Sequence, residues 1–225
     1  LTEYRGTGKT FILQHHEGDW HGRGHTRREE DPAPAALKNM IRWLNARQAG
    51  VNKARAEIES KGVHVYHAAE VNLVVESMTK GRPNMVNKVL PHTKLDLVSY
   101  SAWDATVRYP DNPDMLKKAL DFIAKNLPDS PDFGAGNVYL GEYGLPENNF
   151  KPAVLKKVIR SATSTALEWG CPYVLYWQIY CNEPIDRTTV KPPITSNRHA
   201  RGFWMIRPDG SRSWAWSYFS TLLQE

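Results

Sequence analysis

The chain has 225 residues, of which 41% are hydrophobic and 24% are charged. This balance is typical of a globular protein with a sizeable core, and it argues against a disordered, collagen-like or membrane-bundle chain. The mean hydropathy is -0.55, and no run of about 18 apolar residues predicts a membrane-spanning helix. No segment near Leu1 has the pattern of a signal peptide. The length favours a single domain over residues 1–225.

The net charge of +5 raises the question of a nucleic-acid partner. Basic residues are dispersed along the chain, and the one cluster at 23–28 is followed at once by an acidic run at 29–31. A mixed run of this kind is typical of a solvated loop. We therefore predict no nucleic-acid partner and no membrane partner.

Cys171 and Cys181 flank a segment, residues 172–180, that is predicted to form a buried strand. Ten residues of extended chain span roughly 33 Å, whereas a disulfide needs Cα atoms within about 7 Å. We expect two separate thiols, so cysteine usage does not define the compartment.

The chain alternates short apolar strands with amphipathic helices. The predicted strands cover residues 10–15, 63–68, 95–101, 138–142 and 173–179. The predicted helices run from Pro34 towards Gly62, over 70–90 with a break at Gly81 and Pro83, over 115–127, over 151–169, and to about residue 223. Apolar residues recur at helical spacing in the first of them, at Leu37, Met40, Ile41, Leu44, Val51 and Ile58. This alternation favours a parallel sheet with crossover helices.

Residues 6–10, GTGKT, resemble part of a P-loop. The full P-loop pattern needs a glycine five positions before Gly8, where this chain has Glu3. A P-loop also follows a strand, whereas residues 6–10 precede the first predicted strand. We predict no nucleotide site here, and no cofactor elsewhere.

Polar and aromatic side chains are concentrated in or directly after the carboxyl-terminal part of every predicted strand. In parallel βα architectures the loops at the carboxyl ends of the strands converge on one mouth. Carboxylates, imidazoles and indole rings facing one cleft suit a carbohydrate, whose hydroxyls need hydrogen-bond partners and whose apolar faces stack on aromatic rings. These side chains are residues 14–20 (QHHEGDW), then His64, His67 and Glu70, then Tyr100, Trp103 and Asp104, then Glu142 and Tyr143, and finally Trp177, Gln178 and Tyr180.

Two carboxylates are the best candidates for chemistry. Glu142 follows an apolar run and lies between Gly141 and Gly144, so its side chain is expected at the rim with little bulk around it. Glu17 lies similarly at the end of the first predicted strand. Glycoside hydrolysis needs such a pair, one protonated acid and one ionised nucleophile or base.

The order of these motifs resembles clan A of the retaining glycoside hydrolases, (β/α)8-barrel enzymes such as cellulases, mannanases and β-xylosidases. Residues 139–147, YLGEYGLPE, look like the seventh-strand nucleophile motif, which implies Glu142 as nucleophile. Residues 14–20 look like the fourth-strand motif, which implies Glu17 as acid/base. The implied mechanism is double displacement with retention. The resemblance favours an extracellular or periplasmic location.

The resemblance also implies substrate-binding residues. Tyr100 falls where the clan often places a tyrosine that hydrogen-bonds the nucleophile, and Trp177 matches the eighth-strand tryptophan that forms the floor of the sugar subsite. Trp20 and Trp103 are candidate stacking platforms, and His67 is a further candidate for substrate binding.

The chain departs from the clan at two points. The clan usually has Asn immediately before the acid, and here that residue is His16, which can still donate to a sugar hydroxyl. If the first strand here is the clan's fourth, three βα units are absent from this sequence. About five units at 45 residues each are present, and eight would need about 360, within the range of such barrels. A further segment or a second copy of the chain would then complete the sheet.

Two other functions remain open from the sequence. The cluster of His15, His16, Glu17, Asp19, His21 and His25 suggests metal-dependent hydrolysis on the same fold. Neighbouring residues of a strand point to opposite faces, so His15 and His16 cannot easily bind one ion, and we predict no metal ligands. The second alternative is a non-catalytic carbohydrate-binding or assembly protein derived from a hydrolase.

Overall fold

The computed structural model describes residues 1–57 and 62–224. Five strands lie within this part of the chain: β1 (Lys9–His15), β2 (Val63–Val71), β3 (Leu97–Ser101), β4 (Val138–Tyr143) and β5 (Val174–Tyr176). They form one sheet in the order β1-β2-β3-β4-β5, and every neighbouring pair is parallel. The sheet is curled into a half-barrel, with helices between the strands. The predicted α/β class with parallel strands is therefore confirmed.

Seven α-helices are present among the described residues: α1 (Gly18–Arg23), α2 (Pro34–Glu57), α3 (Val74–Lys80), α4 (Trp103–Thr106), α5 (Asp114–Asn126), α6 (Pro152–Trp169) and α7 (Trp214–Leu222). A π-helix covers Met85–Val89, and short 3-10 helices cover Thr2–Tyr4, Leu90–His92 and Asn197–His199. The predicted break at Gly81 is present, because Gly81 closes α3 in the left-handed conformation. Ile58, predicted on the apolar face of the first helix, lies outside the described residues.

The two faces of the sheet bury different clusters, because successive strand residues point to opposite sides. On the convex face, strand residues such as Val98 pack in one cluster with helix residues such as Leu120 of α5 and Ile159 of α6. The concave face carries a smaller cluster built on Ala68, Leu97 and Tyr139. The alternation continues to the end of β2 and β3, but in β4 it is interrupted by a register shift opposite Tyr100 and Ser101. Glu142 lines the cavity after this irregularity, although Leu140 packs against the helices.

The fifth strand is shorter than predicted. Residues 173–179 were predicted as a strand, and β5 covers only Val174–Tyr176. The amide of Trp177 still donates to the Tyr143 carbonyl at 2.9 Å. Beyond it, the carbonyls of Gln178 and Ile179 accept from the amide of Met205. The chain leaves the sheet there because its backbone partner changes from β4 to the segment before α7.

Both cysteines are buried free thiols, as predicted. Cys171 packs in the helix-facing core. Cys181 packs in a separate cluster with Phe203 and Trp204. In the described ranges, no helix is long and apolar enough to cross a membrane.

Candidate active site

A cavity of about 750 Å³ opens where the carboxyl ends of the strands meet. Both candidate carboxylates, Glu17 and Glu142, line it. Its aromatic lining consists of Trp20, Trp103, Phe150, Trp177 and Phe203. The volume lies within the range of small-molecule sites in proteins.

Glu17 is held in an unusual backbone conformation between β1 and α1. Its φ of 55° and ψ of 44° lie in the left-handed region, which costs a residue with a Cβ roughly 1–2 kcal/mol. Its carbonyl accepts from the amides of Trp20 and His21, so Glu17 also begins α1. The following residue must be Gly18, because a Cβ there would collide with the carbonyl oxygen of Glu70. The turn leaves the Glu17 carboxyl on the cavity wall, with its side chain 32% exposed.

Glu70, near the end of β2, is fully buried and accepts hydrogen bonds from four groups around the site. Its Oε2 accepts from the Gln14 side-chain amide and from the backbone amide of Glu17, both at 3.0 Å. Its Oε1 accepts from Asn72 at 2.8 Å and from the Ser101 hydroxyl at 2.6 Å. A buried carboxylate is tolerated when donors surround it, and Glu70 has donors from three neighbouring strands or the loops that follow them.

Glu142 lies in β4, buried and facing the same cavity. Its Oε2 accepts from the indole nitrogen of Trp103 at 3.0 Å. The preceding residue must be small, because a Cβ at Gly141 would collide with the hydroxyl of Ser99. The indole bond orients the Glu142 carboxylate within the cavity, and the Ser101 side chain is a second hydrogen-bonding group beside it.

The electrostatics of the two carboxyl groups differ in degree. Burial, followed by the negative charges of Glu70 and Glu142, raises the pKa of Glu17 from 4.5 to about 7. Burial and the charge of Glu70 also raise the pKa of Glu142, while the Trp103 bond opposes that rise. Glu17 is therefore suited to hold a proton near neutral pH, and Glu142 is the group that a donor stabilises as an anion.

The aromatic walls are fixed by polar contacts at their edges. The indole nitrogen of Trp177 donates to Glu183 at 3.1 Å. The other oxygen of Glu183 pairs with Arg201 at 2.9 Å. Trp103 packs edge-on against Phe203, with ring centroids 5.4 Å apart. These contacts hold in place three of the aromatic side chains that line the cavity, Trp103, Trp177 and Phe203.

The structure brings together five of the eight residues proposed from the sequence and places a sixth beside them. Glu17, Glu142, Trp20, Trp103 and Trp177 line the cavity. His16 is more exposed, and its Nδ1 lies 2.7 Å from Glu70 Oε2. That nitrogen is turned towards Glu70, and the other ring nitrogen, Nε2, lies 3.9 Å from Glu17 Oε1.

His67 and Tyr100 lie on the opposite side of the sheet from the cavity. His67 is fully buried, and burial together with the charge of Arg47 lowers its pKa to about 4. Tyr100 is also fully buried, and its hydroxyl donates to Asp104 at 2.6 Å rather than to Glu142. Successive residues of a strand point to opposite faces, and Glu70 and Ser101 face the inside of the half-barrel. His67 is three residues before Glu70 and Tyr100 is one residue before Ser101, so both of these side chains face the helices.

Several residues at the site were not singled out as functional from the sequence. Glu70 lies two residues after the predicted strand 63–68, within the observed β2, and was noted only as one of several polar side chains there. The pattern EVN at 70–72 gives two polar residues two apart, which predicts one shared face. The donors to Glu70 from other strands cannot be found this way, because they depend on the register between strands.

His16, Glu17 and Glu70 each offer a ligand-type atom, and these atoms lie within 4.8 Å of one another. A carboxylate has about four lone-pair sites. Those of Glu70 are directed at four hydrogen-bond donors and at His16. We interpret this group as a hydrogen-bonded network of the protein rather than as a set of free metal ligands.

Comparison of the chain with protein-family models, with curated proteins and with solved structures gave no match. The geometry of the site and the sequence motifs therefore carry the functional interpretation.

Proposed function

We propose that the protein is a retaining glycoside hydrolase that cleaves β-glycosidic bonds in an oligosaccharide or polysaccharide. The observation that carries the proposal is the pairing of Glu17 and Glu142 in one aromatic-lined cavity, where Glu17 has a pKa of about 7. A glycosidase needs one carboxyl group that is protonated at working pH and one that is ionised. The five βα units would correspond to the fourth to eighth units of a (β/α)8 barrel.

In the first step, Glu142 Oε attacks the anomeric carbon as the bond to the leaving oxygen breaks. The proton of Glu17 passes to that oxygen, so the aglycone leaves as an alcohol. In the second step, the ionised Glu17 takes a proton from water, whose oxygen attacks the anomeric carbon and displaces Glu142. Both carboxyl groups return to their starting states, and the anomeric configuration is retained.

The cavity walls support a sugar ligand. Trp20, Trp103 and Trp177 supply apolar faces, and Glu183, Asn149 and Arg201 supply polar groups on the same wall. Apolar walls with a few convergent polar groups are typical of small-molecule sites.

The test is hydrolysis of a panel of aryl β-glycosides and polysaccharides by wild type, Glu142→Ala and the control Glu168→Ala. Glu168 is exposed on α6, outside the cavity. We expect wild-type turnover that falls by at least about 10⁴-fold in Glu142→Ala, with partial rescue by azide as an α-glycosyl azide, because azide enters from the face that the Glu142 carboxylate would otherwise occupy. Glu168→Ala should behave as wild type.

Product stereochemistry, followed by ¹H NMR, provides the second arm. Initial release of the β-anomer supports the proposal, because double displacement retains the anomeric configuration. Initial release of the α-anomer, or activity unchanged in Glu142→Ala, would overturn it. Oligosaccharide binding without turnover in wild type would favour the non-catalytic binding protein instead.

A further inference from the structure

We propose that His16 and Glu70 are positioning residues that together hold Glu17 as the proton-carrying group of the site. This inference rests on the proposed function for its catalytic meaning, but the contacts that support it are properties of the folded chain. It assigns a purpose to a buried carboxylate that takes no part in the double-displacement steps.

Glu70 positions Glu17 through the backbone. The amide of Glu17 donates to Glu70 Oε2 at 3.0 Å, and this bond holds a residue whose φ of 55° is otherwise unfavourable. Glu70 is itself fixed from the far side, because Gln14 donates to it at 3.0 Å and Gln14 accepts in turn from the Tyr139 hydroxyl. Rigid support of this kind keeps a catalytic group within the narrow tolerance that chemistry requires.

His16 connects the two carboxyl groups. Its Nδ1 lies 2.7 Å from Glu70 Oε2, and its Nε2 lies 3.9 Å from Glu17 Oε1. One ring nitrogen is thus tied to the buried carboxylate while the other faces the catalytic carboxyl. This is the order carboxylate, imidazole, reacting group, in which the buried acid orients the ring.

The two positioning residues change the pKa of Glu17 in opposite directions. The groups that face Glu17 are Glu70 from β2, Glu142 from β4, and His16 and Asp19 from its own segment. The negative charge of Glu70 favours the protonated form of Glu17, and His16 favours the ionised form. Their balance lets Glu17 act as an acid in one step and as a base in the next.

The experiment is a ¹³C NMR titration of the Glu17 carboxyl in wild type, Glu70→Gln and His16→Gln, assigned by loss of the signal in Glu17→Gln. We expect the Glu17 midpoint to fall by about one pH unit in Glu70→Gln and to rise by several tenths of a unit in His16→Gln. Midpoints that do not move, or that move in the same direction, would overturn the proposal. A merely structural role predicts no such opposite displacement.

Two controls match the variants in chemistry. Asp96 is a buried carboxylate that accepts from Gln48, from Arg55 and from the His67 amide, and it contacts none of the site residues. Asp96→Asn should lose stability without moving the Glu17 midpoint. His92→Gln alters an exposed histidine at the end of the 3-10 helix Leu90–His92, which does not line the cavity, and it should also leave the midpoint unchanged. If Glu70→Gln does not fold, His16→Gln alone tests the proposal. A rise in the Glu17 midpoint supports it, and a fall or no change overturns it.

Kinetics separate this proposal from the proposed function. With an active enzyme, the basic limb of kcat/KM should move to lower pH in Glu70→Gln and to higher pH in His16→Gln, with KM little changed. If no glycoside is cleaved, the proposed function fails while the NMR titration still tests the positioning of Glu17. If glycosides are cleaved and neither limb moves, the positioning proposal fails and the proposed function stands.

Discussion

Replacing Glu17 by Gln should stabilise the protein at alkaline pH and change its stability little at acid pH. The folded state raises the pKa of Glu17 from 4.5 to about 7. Below pH 4.5 the Glu17 carboxyl is protonated in both the folded and the unfolded chain, so its ionisation does not change the free energy of unfolding. As pH rises from 4.5 to 7, the unfolded chain releases its proton first, so the free energy of unfolding falls. Glutamine carries no charge in either state and removes that loss.

The magnitude follows from the size of the pKa change. Each pKa unit corresponds to about 1.4 kcal/mol, so the rise from 4.5 to about 7 sets an upper bound of about 3.5 kcal/mol. The Glu17 side chain is 32% exposed, and solvent screens part of the interaction. We expect about 1–2 kcal/mol at pH 8, which for a chain of this size is roughly 2–8 °C in melting temperature.

The assay is urea unfolding of wild type and Glu17→Gln at pH 4.5 and pH 8, followed by circular dichroism. Glu29→Gln, a change of an exposed glutamate in the loop before α2, is the control and should show equal stability differences at the two pH values. The reasoning is refuted if Glu17→Gln is no more stable than wild type at pH 8, or if its advantage is the same at both pH values.

Three other changes test separate contacts. Trp103→Phe removes the donor to Glu142, so the pKa of Glu142 should rise further and the acid limb of the activity profile should move to higher pH, measured as kcat/KM from pH 4 to 9. Gly18→Ala should cost about 1–3 kcal/mol in urea unfolding, because its Cβ would collide with the Glu70 carbonyl. The pKa of His67 falls from 6.5 to about 4 on folding, so the stability it contributes is present above pH 6.5 and is lost as pH falls towards 4. His67→Leu should therefore be more stable relative to wild type at pH 5 than at pH 8, with kcat unchanged, as measured by thermal unfolding and by turnover.

The alternation of strands and helices was predictable because it depends on local periodicity. β3 begins at Leu97 and β4 at Val138, within two residues of the sequence-based expectation for each. Pro152 and Gly170 bound α6, as proline at the first turn and glycine after the last turn usually do. The end of β5 could not be predicted this way, because it is set by backbone pairing with Met205, which lies 26 residues after Ile179 in the sequence.

The candidate site was predictable only in part. The placement of Glu17 and Glu142 in one cavity follows from their position at strand ends. The roles proposed for His67 and Tyr100 followed the order of the motifs and took no account of which face of the strand each side chain occupies. His67 is three residues before Glu70 in β2, and side chains at an odd spacing in a strand lie on opposite faces. If Glu70 faces the cavity, His67 therefore faces away from it. The donors to Glu70 from β1 and β3 depend on the registers Gln14↔Ala68 and Glu70↔Ser99, which no local pattern specifies.

A raised pKa alone does not identify the acid of this site. Asp104 also lines the cavity, and burial raises its pKa to about 7, as for Glu17. Its two oxygens, however, accept from the Tyr100 hydroxyl and from the backbone amide of Val75, and the residue is only 4% exposed. Glu17 is tied to the protein through its backbone amide rather than through its carboxyl oxygens, so it can present its proton to a ligand. The functional difference between two carboxyl groups with similar pKa values therefore lies in which atoms the protein has already engaged.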